Sequence, residues 1–160
     1  RATFSPKVAN YPNGAHACEV EIDPDTGEID IQGYVIVDDV GTVLNPALLK
    51  GQIHGGVAQG VGQAVMERAV FDDSGQNISG SFMDYTLPRA QDFTLFDVKS
   101  NPVPTEQNPL GVKGAGEAGT VGALPAVMNA IEHALRSAGV EMIEMPASPE
   151  RVWQALQATS

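Results

Sequence analysis

The sequence predicts an α+β fold, in which packed helices lie against a mostly antiparallel sheet in the approximate order β-β-α-β-β-α-β-α. Three observations lead to this prediction: two strand-like segments joined by a sharp turn, a long stretch with an apolar residue at every fourth position, and helix-like segments near the end. The chain has 160 residues, of which 42% are hydrophobic and 18% are charged. Residues 1–160 therefore suit a single domain with an apolar core.

The first two strands are predicted to form a hairpin. Residues 1–14 are expected to be a loop, and residues 15–22 the first strand. The sequence DPDTG at residues 23–27 is rich in the residue types that form turns. Residues 28–38 then alternate apolar and polar side chains, which is typical of a strand with one buried face.

A long helix is predicted next, from residue 46 to about residue 67. Asn45 suits the cap before a helix, and Pro46 suits its first position. Apolar side chains then recur every four residues, at Leu49, Ile53, Val57, Val61 and Val65. This spacing places them on one side of a helix, which we expect to face the core.

Shorter elements follow the long helix. Strands are predicted at residues 69–71 and 93–100, and an irregular segment rich in Pro and Gly follows the second strand. A helix is predicted from about Pro125 to Ser137, where Gly139 ends it. One more strand is expected between this helix and the last one.

The last helix is predicted to begin at Ser148-Pro149, since Ser is a good cap and Pro a good first helical residue. We expect Trp153 and Leu156 to face inward, because they lie three positions apart and so on one side of a helix.

Composition excludes several classes of protein. The formal net charge is -11 and no basic run is present, so nucleic acid is not expected as a partner. No apolar stretch is long enough to predict a membrane span. The chain has one cysteine, Cys18, and no recognisable signal peptide, so we expect a cytoplasmic protein without an internal disulfide. Because the sequence opens on Arg1, we expect a processed product or a part of something longer.

The long helix has an unusual composition, because its predicted range contains Gly51, Gly55, Gly56, Gly60 and Gly62. A helical Gly costs roughly 1 kcal/mol relative to Ala, so another interaction must offset these residues. Gln52, Gln59 and Gln63 lie on a stripe beside the glycines. One interpretation is a surface for a flat, polar ligand. The other is a helix that crosses a second helix closely and has solvated glutamines, and the residues alone leave both open.

A second glycine-rich segment, GVKGAGEAGT, occupies residues 111–120. Its glycines at positions 114, 116 and 119 match the GxGxxG pattern of dinucleotide-binding proteins. We reject that function because the preceding strand ends well before the segment and the acidic residue expected about twenty positions later is missing. Glu117 inside the loop would also repel a pyrophosphate.

Glu117 is the candidate for chemistry in this loop. Flexible backbone on both sides would let its carboxylate approach a reacting centre and act as a general base. The alternative is a surface acid that stabilises the start of a helix. Lys113 is either a cofactor contact or a solvated lysine. No metal site is predicted, because His16, His54 and His133 have no metal-ligand spacing with each other or with Cys18.

Several blocks of the chain resemble the molybdopterin-binding subunit of molybdenum hydroxylases, the family of xanthine dehydrogenase, aldehyde oxidase and the carbon monoxide dehydrogenase large subunit. The segment GQIHGGVAQGVGQAV, residues 51–65, is similar to the stretch that lines the pterin. The segment NPLGVKGAGEAGT, residues 108–120, is similar to the loop that carries the family's essential glutamate. Further similar blocks are YPNGAHACEVEIDPDTGEI, DYTLPRA, LPAVMNAIEHAL and PASPERVWQAL, so the resemblance covers nearly the whole chain.

The resemblance implies a molybdopterin cofactor, in many members a dinucleotide, that binds molybdenum. It implies that Glu117 is the catalytic base when a small-molecule substrate is hydroxylated with oxygen from water. Gln52 matches a residue that hydrogen-bonds the pterin, and the backbone at Gly116 lies beside the metal. Lys113 and Gly114 are expected to contact the cofactor too. Electrons would leave through iron–sulfur clusters and usually FAD, which lie on partner domains or subunits.

The chain also departs from the family. His54 stands where many relatives have Glu, and the family's subunit is several times longer. Its upstream part supplies further cofactor contacts and most of the substrate pocket. We therefore expect residues 1–160 to be the C-terminal portion of the cofactor-binding domain, inactive alone and with weak or no cofactor binding. The alternative is a stand-alone binding or assembly domain that kept the fold without the chemistry.

Overall fold

A computed structural model describes residues 3–5, 7–94 and 96–159. Within these ranges the fold is α+β, as predicted, with helices packed on a three-stranded sheet. The elements are β1 (Asn13–Ile22), β2 (Ile29–Asp39), α1 (Pro46–Val65), β3 (Phe96–Ser100), α2 (Ala118–Arg136) and α3 (Pro149–Gln157), with a short 3-10 turn at Ala90–Asp92. Positions 1, 2 and 6 of the predicted first loop and position 95 of the predicted strand at 93–100 lie outside the described residues.

The sheet has the order β1-β2-β3 and is mixed. Strands β1 and β2 form the predicted antiparallel hairpin, in which Gly27 turns the chain with a φ of 75°. Strand β3 pairs with β2 in parallel, with Val98 opposite Ile36. Two parallel strands need a crossover connection, and here that connection runs through α1. The direction of β3 was not predicted, because alternation within a strand does not reveal whether its partner is parallel or antiparallel.

Helix α1 forms almost as predicted. The side chain of Asn45 accepts a hydrogen bond of 3.1 Å from the amide of Leu48, and Pro46 is the first helical residue. The four-residue repeat from Ile53 to Val65 is buried. These side chains pack against the sheet and against α2, in a core that also contains the buried residues Tyr34, Ile36, Val127 and Ile131.

Helix α2 begins well before the predicted start at Pro125, which lies inside the helix. Proline and the preceding glycines disfavour a helix interior, so local propensity placed the start too late. Packing overrides propensity here, because Gly119 and Ala123 are buried in the first turns of α2, against α1.

Two short predicted strands are not formed in the described part of the chain. Residue Phe71 of the segment 69–71 makes only an isolated bridge to Asn77, and residues 140–147 between α2 and α3 contain no strand. The second segment is apolar because Val140 and Ile143 pack into the core without strand pairing. Apolar residues that pack into the core from an irregular segment can therefore be mistaken for a strand in the sequence.

The prediction for the inward face of α3 was half wrong. Leu156 is 9% exposed, as expected, but Trp153 is 42% exposed. The buried stripe of α3 consists of Val152 and Leu156, which lie four positions apart on one face. Trp153 is next to that stripe, at its edge.

Candidate functional site

Glu117 lies at the junction of the glycine-rich loop and α2. It is the N-cap residue of the helix, and its carbonyl accepts a hydrogen bond of 3.0 Å from the amide of Val121. Its side chain makes no capping hydrogen bond and is exposed. The carboxylate therefore does not cap its own helix, although it lies at the end where the helix dipole favours a negative charge.

Gln52 of α1 holds the residue before this glutamate. Its Nε2 donates a hydrogen bond of 2.7 Å to the carbonyl oxygen of Gly116. Two predicted site residues that are 64 positions apart thus meet directly. One amide N–H of Gln52 is used for the loop, and the Oε1 atom and the second N–H remain for another partner.

The start of the glycine-rich loop is attached to the end of β2 and to the residues after it. The amide of Lys113 donates to the carbonyl of Val40 over 2.9 Å, and Gly41 forms a β-bridge with Val112. Gly41 and Gly111 both have positive φ, and a Cβ at Gly41 would collide with the carbonyl oxygen of Gly111. Glycine at these two positions allows the backbones to approach this closely.

A side-chain ion pair strengthens this attachment. Lys113 Nζ donates a hydrogen bond of 2.5 Å to Asp39 Oδ2, and the two side chains are 11% and 13% exposed. The Lys113 ammonium group, with help from the amides of Val103 and Gly41, lowers the pKa of Asp39 to about 2. Lys113 is therefore neither a free nor a solvated lysine, and its predicted cofactor contact stays a prediction.

Four of the five glycines of α1 divide into two groups, and the fifth, Gly62, faces Glu67 and Pro88 instead. A Cβ at Gly56 would lie 2.9 Å from the amide nitrogen of Thr120, and one at Gly60 would lie 2.6 Å from Ala123 Cβ. These two glycines allow α1 and α2 to cross closely, as one of the two interpretations required. Gly51 and Gly55 have no such neighbour, since nothing lies within 4 Å of a Cβ built on them.

The same openness is found on the loop, where a Cβ at Gly114 or Gly116 would also meet nothing within 4 Å. Gly51 and Gly55 lie within one helical turn of Gln52, which hydrogen-bonds Gly116, and Gly114 lies two positions before Gly116. We call these five residues the glycine surface. The close helix crossing is confirmed for Gly56 and Gly60, whereas the ligand surface stays a prediction for Gly51 and Gly55.

A buried polar cluster beneath α2 was not foreseen in the sequence. His16 Nδ1 lies 2.9 Å from the Tyr34 hydroxyl, and His16 Nε2 lies 3.5 Å from Asp38 Oδ1. Burial raises the pKa of Asp38, although nearby His16 acts in the opposite direction. The ring of His16 fills the space that a side chain at position 122 would need. The hairpin register places Gly14 opposite Asp38 and His16 opposite Ile36, so His16 and Asp38 lie close together. The alternation of apolar and polar residues predicts the hairpin but not this register.

Among residues 3–5, 7–94 and 96–159, no group of three or more His, Cys, Asp or Glu side chains is arranged to hold a metal ion. Over the same ranges, no helix has both the length and the apolar character needed to cross a membrane.

Comparison with known proteins gives consistent matches. The family model described as a molybdopterin cofactor-binding domain matches residues 2–94. The chain is 39% identical to the nicotine 6-hydroxylase large subunit of Paenarthrobacter nicotinovorans, over 91% of this chain and 18% of that protein. It is 34% identical to the carbon monoxide dehydrogenase large chain of Hydrogenophaga pseudoflava, over 96% of this chain and 19% of that protein.

The fold also matches a solved structure. It superimposes on the Cu,Mo-CO dehydrogenase in its carbon monoxide reduced state with a TM-score of 0.93 and 32% identity. The match covers 98% of this chain and 20% of that one. The chain therefore spans about a fifth of the length of the relatives that it matches.

Proposed function

The chain belongs to the molybdenum hydroxylase family, and from that premise we propose that it forms the C-terminal part of the cofactor-binding domain of a larger oxidoreductase subunit. In this proposal the complete enzyme hydroxylates a small substrate, such as an aldehyde or an N-heterocycle, with oxygen from water, and Glu117 is the general base. The observation that carries the proposal is the position of Glu117, which is exposed at the N-terminus of α2 and directly follows Gly116 of the glycine surface.

The residues present fit a molybdopterin. A flat, polar ring system needs a surface without side chains and with hydrogen-bonding groups at its edge, and the glycine surface has both. Gln52, Lys113, Gly114 and Gly116 would hold the cofactor, Lys113 through its backbone because its ammonium group is paired with Asp39. When bound, the cofactor would supply the two-electron oxidation that no amino-acid side chain of this chain can carry out.

The chain's own contribution is to hold a proton acceptor at the site. Gln52 fixes the carbonyl of Gly116, so the backbone directly before Glu117 has a defined position. The side chain of Glu117 has no capping bond to break before it accepts a proton from the reacting group. Because this carboxylate is exposed, the upstream part of the subunit would have to exclude water from it.

Partners follow from the same proposal. The upstream part of the subunit would cover the glycine surface and complete the substrate pocket. Partner subunits or domains with iron–sulfur clusters and FAD would accept the electrons. In support, the two relatives described above are named as the large subunit of nicotine 6-hydroxylase and the large chain of carbon monoxide dehydrogenase, names that indicate further subunits. Each is about five times as long as this chain.

The direct test is Glu117→Gln in the complete enzyme, meaning the full subunit that contains this chain together with its partner subunits. Turnover should fall by about 10²-fold or more, since the amide keeps the shape of the side chain but cannot accept the proton. Bound molybdenum should be unchanged. Glu141→Gln is the control, because Glu141 is another exposed acid and lies far along the chain from the site. Near-normal turnover of Glu117→Gln would remove Glu117 from its role.

A further inference from the structure

The carboxylate of Asp39, the last residue of β2, joins three segments of the chain. Its Oδ1 accepts hydrogen bonds from the amide of Gly41, over 2.8 Å, and from the amide of Val103, over 2.9 Å. Its Oδ2 accepts the hydrogen bond from Lys113. The two oxygens therefore have separate tasks: Oδ1 holds backbone near the strand, and Oδ2 holds the loop that leads to Glu117.

We propose that Asp39 is a positioning residue for Glu117 and that it acts through Lys113. This inference rests on the proposed function, because it assumes that the position of Glu117 matters for the reaction. It assigns a role to Asp39, which no sequence pattern pointed to, and it gives Lys113 a task other than contact with the cofactor.

The geometry of the loop carries the argument. Between Lys113 and Glu117, Gly114 and Gly116 have open space where a side chain would stand, so no side chain of these two residues restrains the backbone by packing. Glycine also allows more backbone conformations than any other residue. The segment is held at its two ends, by Lys113 on one side and by the hydrogen bond from Gln52 to Gly116 on the other. If either attachment is lost, the backbone hydrogen bonds from Lys113 to Val40 and from Val121 to Glu117 remain, but the loop between them is held less firmly.

The chemistry of the pair suits a permanent attachment. Both side chains are mostly shielded from water, so removing one charge leaves the other without compensation in a poorly solvated place. The low pKa of Asp39 keeps its carboxylate ionised throughout the neutral range. The carboxylate partner of Lys113 is therefore charged at neutral and weakly acidic pH.

The test uses two substitutions in the complete enzyme. Asp39→Asn keeps an oxygen for the amides of Gly41 and Val103 and replaces the partner of Lys113 with an NH₂ group. Lys113→Met removes the charge and keeps much of the side-chain length. The control is Asp97→Asn, which removes the carboxylate of an ion pair with Lys99 whose side chains are 54% and 63% exposed. For each variant, kcat and KM are expressed per bound molybdenum, and hydrogen exchange is measured on the peptide that covers residues 111–120.

Both variants should lower kcat per molybdenum by roughly 10- to 100-fold, because small displacements of a catalytic group have effects of this size. KM should change little, exchange in residues 111–120 should become faster, and the double variant should lose no more than either single one, since the two residues act as a unit. Asp97→Asn should behave as the unsubstituted enzyme.

Two results would overturn the inference. The first is an unchanged kcat per molybdenum in Asp39→Asn. The second is a loss of molybdenum in Lys113→Met but not in Asp39→Asn, which would make Lys113 a direct cofactor contact. Failure of the proposed function is a separate result, because it would be seen as normal turnover in Glu117→Gln.

Discussion

At the scale of single residues, the site depends on side chains that hold backbone. Gln52 donates to the carbonyl of Gly116, and Asp39 receives the ammonium group of Lys113. Glu117 itself makes no capping bond. In our proposal Glu117 is the general base, and its side chain is free to accept a proton while the backbone around it is held in place.

The attachment by Gln52 leads to a prediction for Gln52→Glu. The carboxylate has no N–H to donate, and it would face the carbonyl oxygen of Gly116 with a negative charge. Amide hydrogen exchange in residues 114–118 should therefore become faster, by about tenfold if the bond is worth about 1.4 kcal/mol. The measurement is hydrogen exchange followed by mass spectrometry on the complete enzyme.

Gln63→Glu is the matched control, because Gln63 is an exposed residue of the same helix. It adds the same charge to α1 about three turns away and should leave exchange in residues 114–118 unchanged. Equal exchange rates in the two variants would show that the bond from Gln52 does not restrain the loop.

Two of these residues were predicted from the sequence, and one was not. Glu117 and Gln52 were singled out from the loop and the helix that carry them, and the structure brings those two segments together. Asp39 was not foreseen, because the alternation in β2 only assigns a residue to a face of the sheet. Its partners come from segments 64 and 74 positions further along the chain, which no local pattern connects.

At the scale of elements, the glycines of α1 differ in their surroundings. Gly56 and Gly60 face α2 and have no room for a Cβ, whereas Gly51 and Gly55 have open space. The sequence contained the signal for both, namely too many glycines for a stable helix. The sequence did not show which glycines contact α2 and which have open space, because the position of α2 was unknown.

This division predicts opposite effects of alanine on the free energy of unfolding. Gly55→Ala should stabilise the chain by about 1 kcal/mol, since alanine favours the helix and its methyl group meets no atom. Gly56→Ala should destabilise it by about 1–3 kcal/mol, because its methyl group would press on the backbone of α2. Urea unfolding, followed by circular dichroism, measures both.

In the complete enzyme, Gly55→Ala should also lower the bound molybdenum, because its methyl group stands in the glycine surface. A stabilised variant with full molybdenum would mean that Gly55 does not contact the cofactor. Destabilisation by Gly55→Ala to the same degree as by Gly56→Ala would contradict the division of the glycines itself.

At the scale of the whole molecule, periodicity and turn chemistry were sufficient for the fold class, the hairpin and α1. They were not sufficient where packing between distant segments determines the secondary structure. The start of α2 is stabilised against α1 despite its glycines, and Val140, Ile143 and Ala147 are buried in a segment that forms no strand. The parallel pairing of β3 likewise depends on a crossover rather than on its own sequence.

The whole molecule also explains why the candidate site is open. Glu117 and the glycine surface lie on the outside of this chain, which spans about a fifth of the length of its relatives. A site that binds a cofactor and excludes water needs a second wall. In our account the upstream part of the subunit provides that wall, so the 160-residue chain alone should hold no stoichiometric molybdopterin.

The most direct test of this account is to purify the natural gene product that contains this sequence and to measure its mass and its molybdenum content together. The account predicts about one molybdenum per chain, on a chain much longer than 160 residues. A product of this length without molybdenum would contradict it, and the chain would then be a stand-alone binding or assembly domain that shares the fold of the family.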